Sequence, residues 1–256
     1  MSENMLNETV DTQKYSDVSL TGDRSGSMHT MGNSLPNGAI EFLQKQVDMA
    51  STTNSNCNIT MTVFNHTSNV LFSKNTKEIT PTDYDTIRDK LTPTGATRLY
   101  DTAIEQIENQ MERVDKLVEQ GIPLNNIEVI FALLTDGEDN ESKNTAMTLR
   151  NKMDMFKEKY NATCLFLAAN QDAICQGAKY GFDAKTCLSM GNDPKSCENA
   201  MRSVSDAVGR VMSGVGDGEF TQCERTSSIP NSDPDSPPPS QFVPLSSYVE
   251  SPLHRN

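Results

Sequence analysis

The chain reads as an α/β protein in which helices sandwich a mostly parallel sheet. Three features predict this. Strand-like and helix-like stretches alternate along most of the 256 residues. Two strand candidates, Ile127–Thr135 (IEVIFALLT) and Thr163–Ala169 (TCLFLAA), are apolar almost throughout, as strands covered on both faces must be. Leu99–Glu119 places Leu99, Ala103, Ile107, Met111, Val114 and Val118 on one helical face, so it can lie against such a sheet.

The remaining elements follow in order. Residues 17–22 (DVSLTG) form a short strand. Over residues 36–50, Ile40, Leu43, Val47 and Ala50 recur at helical spacing. Residues 58–64 (NITMTVF) alternate Ile59, Met61 and Val63 with Thr, a strand pattern. A polar turn at 65–69 and a short strand at 70–72 make this a hairpin, with the second strand antiparallel at a sheet edge. After the central strand come a helix over 142–160, the second buried strand, a short helix, a short strand and a last helix over about 195–212.

The ends differ in composition. Seven of the 12 prolines lie between Pro230 and Pro252, a stretch that can bury little and lacks backbone donors. The expected organisation is a flexible N-terminus (1–14), one folded domain (15–212) and a disordered Pro/Ser-rich tail (213–256). From Thr226 on there are only three acidic residues and one basic, so −11 of the net charge of −13 belongs to the rest of the chain. An acidic surface argues against nucleic acid and anionic membrane as partners. The six cysteines form no CxxC pair, which argues against a structural zinc. With no signal-peptide-like or membrane-spanning stretch, the expected location is cytoplasmic, with thiols reduced.

In a parallel sheet, ligands sit beyond the carboxyl ends of the strands. Three loops there combine Gly with small hydroxyl or carboxylate side chains: Asp23-Arg24-Ser25-Gly26-Ser27, Thr94-Gly95-Ala96-Thr97 and Thr135-Asp136-Gly137-Glu138. Asp23, Ser25 and Ser27, at alternate positions, can point three oxygens to one side; Thr97 and Asp136 can add two more. Five hard oxygen donors without sulfur or imidazole suit Mg²⁺, Mn²⁺ or Ca²⁺. Only two of the donors are charged, so a cation held this way would want an anionic ligand, such as a carboxylate exposed on a protein partner.

These residues resemble the metal-ion-dependent adhesion site of the von Willebrand factor A family, written D-x-S-x-S with a distant Thr and a distant Asp. Here they are Asp23-Arg-Ser25-Gly-Ser27, Thr97 within GATRLYD and Asp136 within TDGED. A lone D-x-S-x-S arises by chance in roughly one chain in twenty of this length, so the ordered set of three carries the weight. The resemblance covers about residues 15–212. It implies a Rossmann-like, doubly wound, six-stranded sheet with one antiparallel edge strand. It also implies that Ser25, Ser27 and Thr97 ligate through hydroxyls while Asp23 and Asp136 act mainly through bound waters. Thr21-Gly22 stand where the family carries an apolar residue; this departure removes no ligand but predicts a looser end to the first strand. The run 166–173 (FLAANQDA) is similar to small intracellular members of the family in bacteria and large DNA viruses.

The functional expectation is divalent-cation-dependent binding of a protein partner through an exposed Asp or Glu. The alternative is a regulatory or scaffold subunit of a larger assembly, such as an AAA-type ATPase complex, with a mainly structural metal. A Mg²⁺-dependent phosphohydrolase is the weaker alternative. Haloacid dehalogenase phosphatases need a second Asp where Ser25 stands, and neither a P-loop nor a G-x-G-x-x-G opens a helix. His29 and His66 read as loop residues, and no catalytic residue is expected. Glu138, Asp139 and Glu141 read as an acidic first helical turn, Met28 and Met31 as packing or rim residues, and Asp101 either as a brace for the Thr97 loop or as an exposed or capping residue.

Overall fold

The computed structural model describes residues 14–229 apart from 54, 170 and 171. Six strands, β1 (Tyr15–Asp23), β2 (Asn56–Phe64), β3 (Ser68–Asn75), β4 (Ile127–Thr135), β5 (Thr163–Ala169) and β6 (Cys187–Met190), form one sheet in the order β3-β2-β1-β4-β5-β6. Only β3 runs antiparallel, as the second arm of the expected hairpin; the other neighbours pair in parallel. This is the Rossmann-like, doubly wound arrangement that the sequence predicts.

Among the described residues seven α-helices flank the sheet: α1 (Ser34–Thr53), α2 (Pro81–Lys90), α3 (Leu99–Glu119), α4 (Ala146–Tyr160), α5 (Ala173–Tyr180), α6 (Pro194–Met212) and α7 (Gln222–Ser227). Side-chain alternation divides the core. Val18, Leu20, Ile130, Ala132, Leu134, Leu165 and Leu167 face a layer containing α1, α2 and α6. Val129, Phe131, Leu133, Cys164 and Phe166 face α3, α4 and α5. The α1–α6 contact is close because both helices present glycine: a Cβ on Gly38 would stand 2.7 Å from Met201, and one on Gly209 2.8 Å from Met49. Among the described residues no helix is long and apolar enough to cross a membrane.

β1 is a two-faced strand. Val18 and Leu20 enter one core, while Asp17, Ser19, Thr21 and Asp23 point to the other side and are all buried. The side of α3 that meets them is correspondingly polar. Gln110 Nε2 donates to the Asp17 carboxylate (3.0 Å) and to the carbonyls of Asp17 (2.9 Å) and Ile130 (3.1 Å). Arg113 grips Asp17 through both Nε (3.1 Å) and Nη2 (2.9 Å) and also reaches Ser19.

Several expectations need correction. β1 does not loosen at Thr21-Gly22; it pairs with β2 through Asp23 and with β4 through Gly22. Val118, placed on the buried face of α3, is 40 % exposed in the last turn. α4 starts at Ala146 rather than 142, because the Asp101 carboxylate captures the backbone N–H groups of Lys143 and Asn144 and holds that segment as a loop, after which Thr145 caps the helix. α2 was not anticipated.

The boundary at 212 falls too early. Phe220 is buried, α7 follows with a Thr221/Glu224 capping box, and Arg210 joins it to α6 by a two-pronged contact with Glu224 (2.9 and 3.1 Å). Arg225 then donates to the carbonyls of Cys187 and Lys185 (2.7 Å each). Residues 1–13 and 230–256, on which the remaining expectations for the ends fall, lie outside the described residues.

Candidate metal centre

The carboxyl ends of β1 and β4 are adjacent in the sheet, and their loops meet the start of α3. Three backbone bonds set the first loop: Arg24 N–H donates to Phe64 O (2.7 Å), Gly26 N–H to Gly95 O (2.9 Å), and Thr94 N–H to Arg24 O (2.7 Å). Gly95 turns with φ of +82°, and His66 packs so closely that a Cβ there would lie 2.6 Å from its Nδ1. The β2–β3 turn supports the same loop: buried Asn65 donates through Nδ2 to Thr94 O (2.8 Å), and its carbonyl accepts from Arg98 N–H (2.8 Å). Thr97 is clamped to the β4 loop, its N–H donating to Asn140 Oδ1 (2.8 Å) while its carbonyl accepts from Asn140 N–H (3.0 Å) and Glu141 N–H (3.2 Å).

These constraints gather all five sequence-predicted residues. Asp23 is fully buried; its Oδ1 accepts from Ser25 N–H (2.6 Å) and its Oδ2 from Thr135 Oγ1 (2.7 Å). Ser25 and Ser27 hydroxyls lie 3.1 Å apart, and Ser27 Oγ donates to Asp136 Oδ1 (2.8 Å). Thr97 joins across Gly137. A Cβ on Gly137 would stand 3.8 Å from both Ser27 Oγ and Thr97 Oγ1, an ordinary contact distance, so the glycine lies beside both hydroxyls. Asp23, Ser25, Thr97 and Asp136 are buried, whereas Ser27 is exposed and opens the cluster to solvent.

The electrostatics are those of negative charge held out of water. Burial pushes the Asp23 carboxyl up to about 6, and the neighbouring Asp136 charge adds to the rise against the hydrogen bonds that oppose it. Burial also raises Asp136. Among the described residues no three His, Cys, Asp or Glu side chains gather as a metal site. The two carboxylates and three hydroxyls are hard oxygen donors and fit a hard divalent cation.

Supporting residues complete the picture. Asp101 braces the loops: burial opposes its ionisation, but N–H groups of Lys143 and Asn144, the Asn144 amide and Arg98 together hold its carboxyl down at about 2. The acidic run after Asp136 is loop rather than helix, and Asp139 instead accepts from Tyr100 N–H (3.3 Å) at the start of α3. Met28 and Met31 are buried packing residues, while His29 and His66 are exposed. Sequence reasoning missed Thr135, Asn65 and Asn140, whose roles arise only from contacts between loops. A hydroxyl directly before Asp136 was the one signal for Thr135.

No family model matches the sequence, and no curated protein matches it. Solved structures do match in fold. A von Willebrand factor type A protein from Catenulispora acidiphila superposes with a TM-score of 0.51 at 15 % identity, covering 78 % of this chain and 43 % of that one. Proximal thread matrix protein 1 from the mussel byssus, in a structure with a zinc-occupied MIDAS (metal-ion-dependent adhesion site) motif, gives 0.51 at 16 % identity, covering 78 % and 47 %. The pilus adhesin SpaC from Lactobacillus rhamnosus GG, in its open conformation, gives 0.55 at 12 % identity, covering 79 % and 30 %. The chain spans less than half the length of each. The likeness is one of fold, and that fold is von Willebrand A-like.

Proposed function

We propose that this chain is a divalent-cation-dependent protein-binding module whose partner contributes an Asp or Glu carboxylate. The observation that carries the reading is the meeting of Asp23, Ser25, Ser27, Thr97 and Asp136 from three distant stretches around Gly137. Ser25, Ser27 and Thr97 would hold Mg²⁺, Mn²⁺ or Ca²⁺ through their hydroxyls, with Asp23 and Asp136 acting through bound waters. The cation, when bound, supplies a position that attracts an anionic ligand. The chain supplies the rest. Thr135 and the Ser25 N–H orient Asp23, Asn140 fixes Thr97, and exposed Ser27 leaves the approach to solvent open. The zinc-occupied motif of the mussel protein supports divalent-cation binding by this fold.

We read the site as non-catalytic. Ser25 stands where a phosphohydrolase of the haloacid dehalogenase type carries its proton-donating acid, and its hydroxyl lies against Ser27. Titration calorimetry with Mg²⁺ and Mn²⁺, followed by affinity capture in Mg²⁺ or EDTA, tests the proposal. Heat in the wild type, at least tenfold weaker binding in Thr97→Ala, and partner capture lost in both EDTA and Thr97→Ala are the expected results. Absence of heat at millimolar cation, capture indifferent to EDTA, or Mg²⁺-dependent turnover of a phosphoester would each contradict it.

A further inference from the structure

Arg24 is the residue of the first loop that the five-oxygen cluster does not use. Its main chain is pinned on both sides, so its position relative to Asp23 and Ser25 is set. Its side chain instead lines an open cleft of about 450 Å³ between β3 and α2. The guanidinium Nε is buried and has no hydrogen-bond partner among the described residues. A guanidinium donor left unpaired is unusual, since buried polar groups are nearly always satisfied.

The rest of the cleft has a consistent chemistry. Lys90, the last residue of α2, lies on its wall, and no carboxylate is among the lining residues. In a chain of net charge −13, a cleft whose charged lining residues are two cations stands apart from the overall sign. Lys90 meets its sequence neighbour Asp89 at 2.8 Å, with both side chains more than half exposed, and such surface pairs exchange readily. Val70, 47 % exposed, and Leu71 give the cleft an apolar side. A bare inorganic anion would leave that side uncovered. An acidic peptide covers it with its backbone and stems while its carboxylates meet Arg24 and Lys90.

We propose that this cleft is a second subsite for an acidic segment of the protein partner, beside the five-oxygen cluster. The inference rests on reading that cluster as the partner-binding site, because Arg24 stands between two of its members in sequence. A partner engaging both places would carry at least two acidic residues, one for each subsite. The cleft then contributes specificity for acidic segments over single exposed carboxylates.

The test uses the full chain and a fluorescein-labelled peptide of alternating aspartate and glycine, with its asparagine counterpart as control, read by fluorescence anisotropy in Mg²⁺ and in EDTA. Arg24→Gln and Lys90→Gln are compared with the wild type, and calorimetry with Mg²⁺ alone is run on each. The expected result is residual binding of the aspartate peptide in EDTA that weakens with added NaCl. Arg24→Gln should reduce it about tenfold and Lys90→Gln about threefold, while both variants keep their Mg²⁺ heat. Lys90 is exposed at a helix end, so its variant tests the cleft even if Arg24→Gln perturbs the loop. Unchanged peptide binding in both variants, or equal binding of the asparagine peptide, would overturn the subsite and leave the cation reading standing. Peptide binding that depends on Arg24 and Lys90 in a wild type without Mg²⁺ heat would overturn the cation reading and keep the cleft.

Discussion

Asp17 and Asp23 lie six residues apart on the same face of β1, both buried, and the chain treats them in opposite ways. Asp17 meets its counter-charge inside the molecule, held by Nε and Nη2 of Arg113 and by Gln110. Asp23 is given hydrogen bonds from Ser25 and Thr135 but has a second carboxylate, Asp136, as its charged neighbour, and burial holds its pKa near 6. A strand can therefore carry a carboxylate paired with a cation at one end and a buried carboxylate beside another carboxylate at the other. The residue type is the same; what faces it decides.

The comparison breaks most sharply at Asp17. Asp17→Asn leaves Arg113 without its anion in a largely buried setting, and should cost about 3 kcal/mol in urea unfolding, whether or not Mg²⁺ is present. Asp101 sharpens it, as a carboxylate satisfied chiefly by backbone N–H groups. Asp101→Ala should cost about 2 kcal/mol by the same measurement. Because its folded pKa is depressed to about 2, that stabilisation is present above pH 4 and fades as pH falls towards 2. The smallest effect has the opposite sign. Asp23→Asn removes a charge that burial disfavours, and in EDTA at pH 7 should stabilise the fold by about 1 kcal/mol while abolishing any rise in melting temperature on adding Mg²⁺.

Those distinctions were only partly legible in the sequence. The bounds of α3, β4 and β5 could be read directly, since a continuous apolar run or a one-faced stripe follows from burial alone. α2 was hidden because Ile87 is its only buried apolar residue, although Thr80, Pro81 and Asp83 spell a capping box with proline at the first turn. α7 was masked by the composition shift towards the proline-rich end, again despite a capping box at Thr221 and Glu224. At the site, Asp23, Ser25, Ser27, Thr97 and Asp136 stood out as oxygens at strand ends. Thr135, Asn65 and Asn140 did not, because a hydroxyl or amide that bridges two loops has no pattern within either loop. The pairing of Asp17 with Arg113, 96 positions apart, was equally invisible to local pattern.

The most direct test of the proposal that Asp23 and Asp136 help to hold a cation is the difference in unfolding free energy with and without saturating Mg²⁺ between pH 4 and 7. Without cation, the native state holds more protons at Asp23 than the unfolded chain does between about pH 4 and 6, so this group's contribution falls as pH rises through that window, by on the order of 3 kcal/mol. Raised Asp136 acts in the same direction. With Mg²⁺ held beside the ionised carboxylates that loss should vanish, so stabilisation by Mg²⁺ should be small at pH 4 and grow steadily towards pH 7. Superimposable profiles with and without Mg²⁺ would contradict the account.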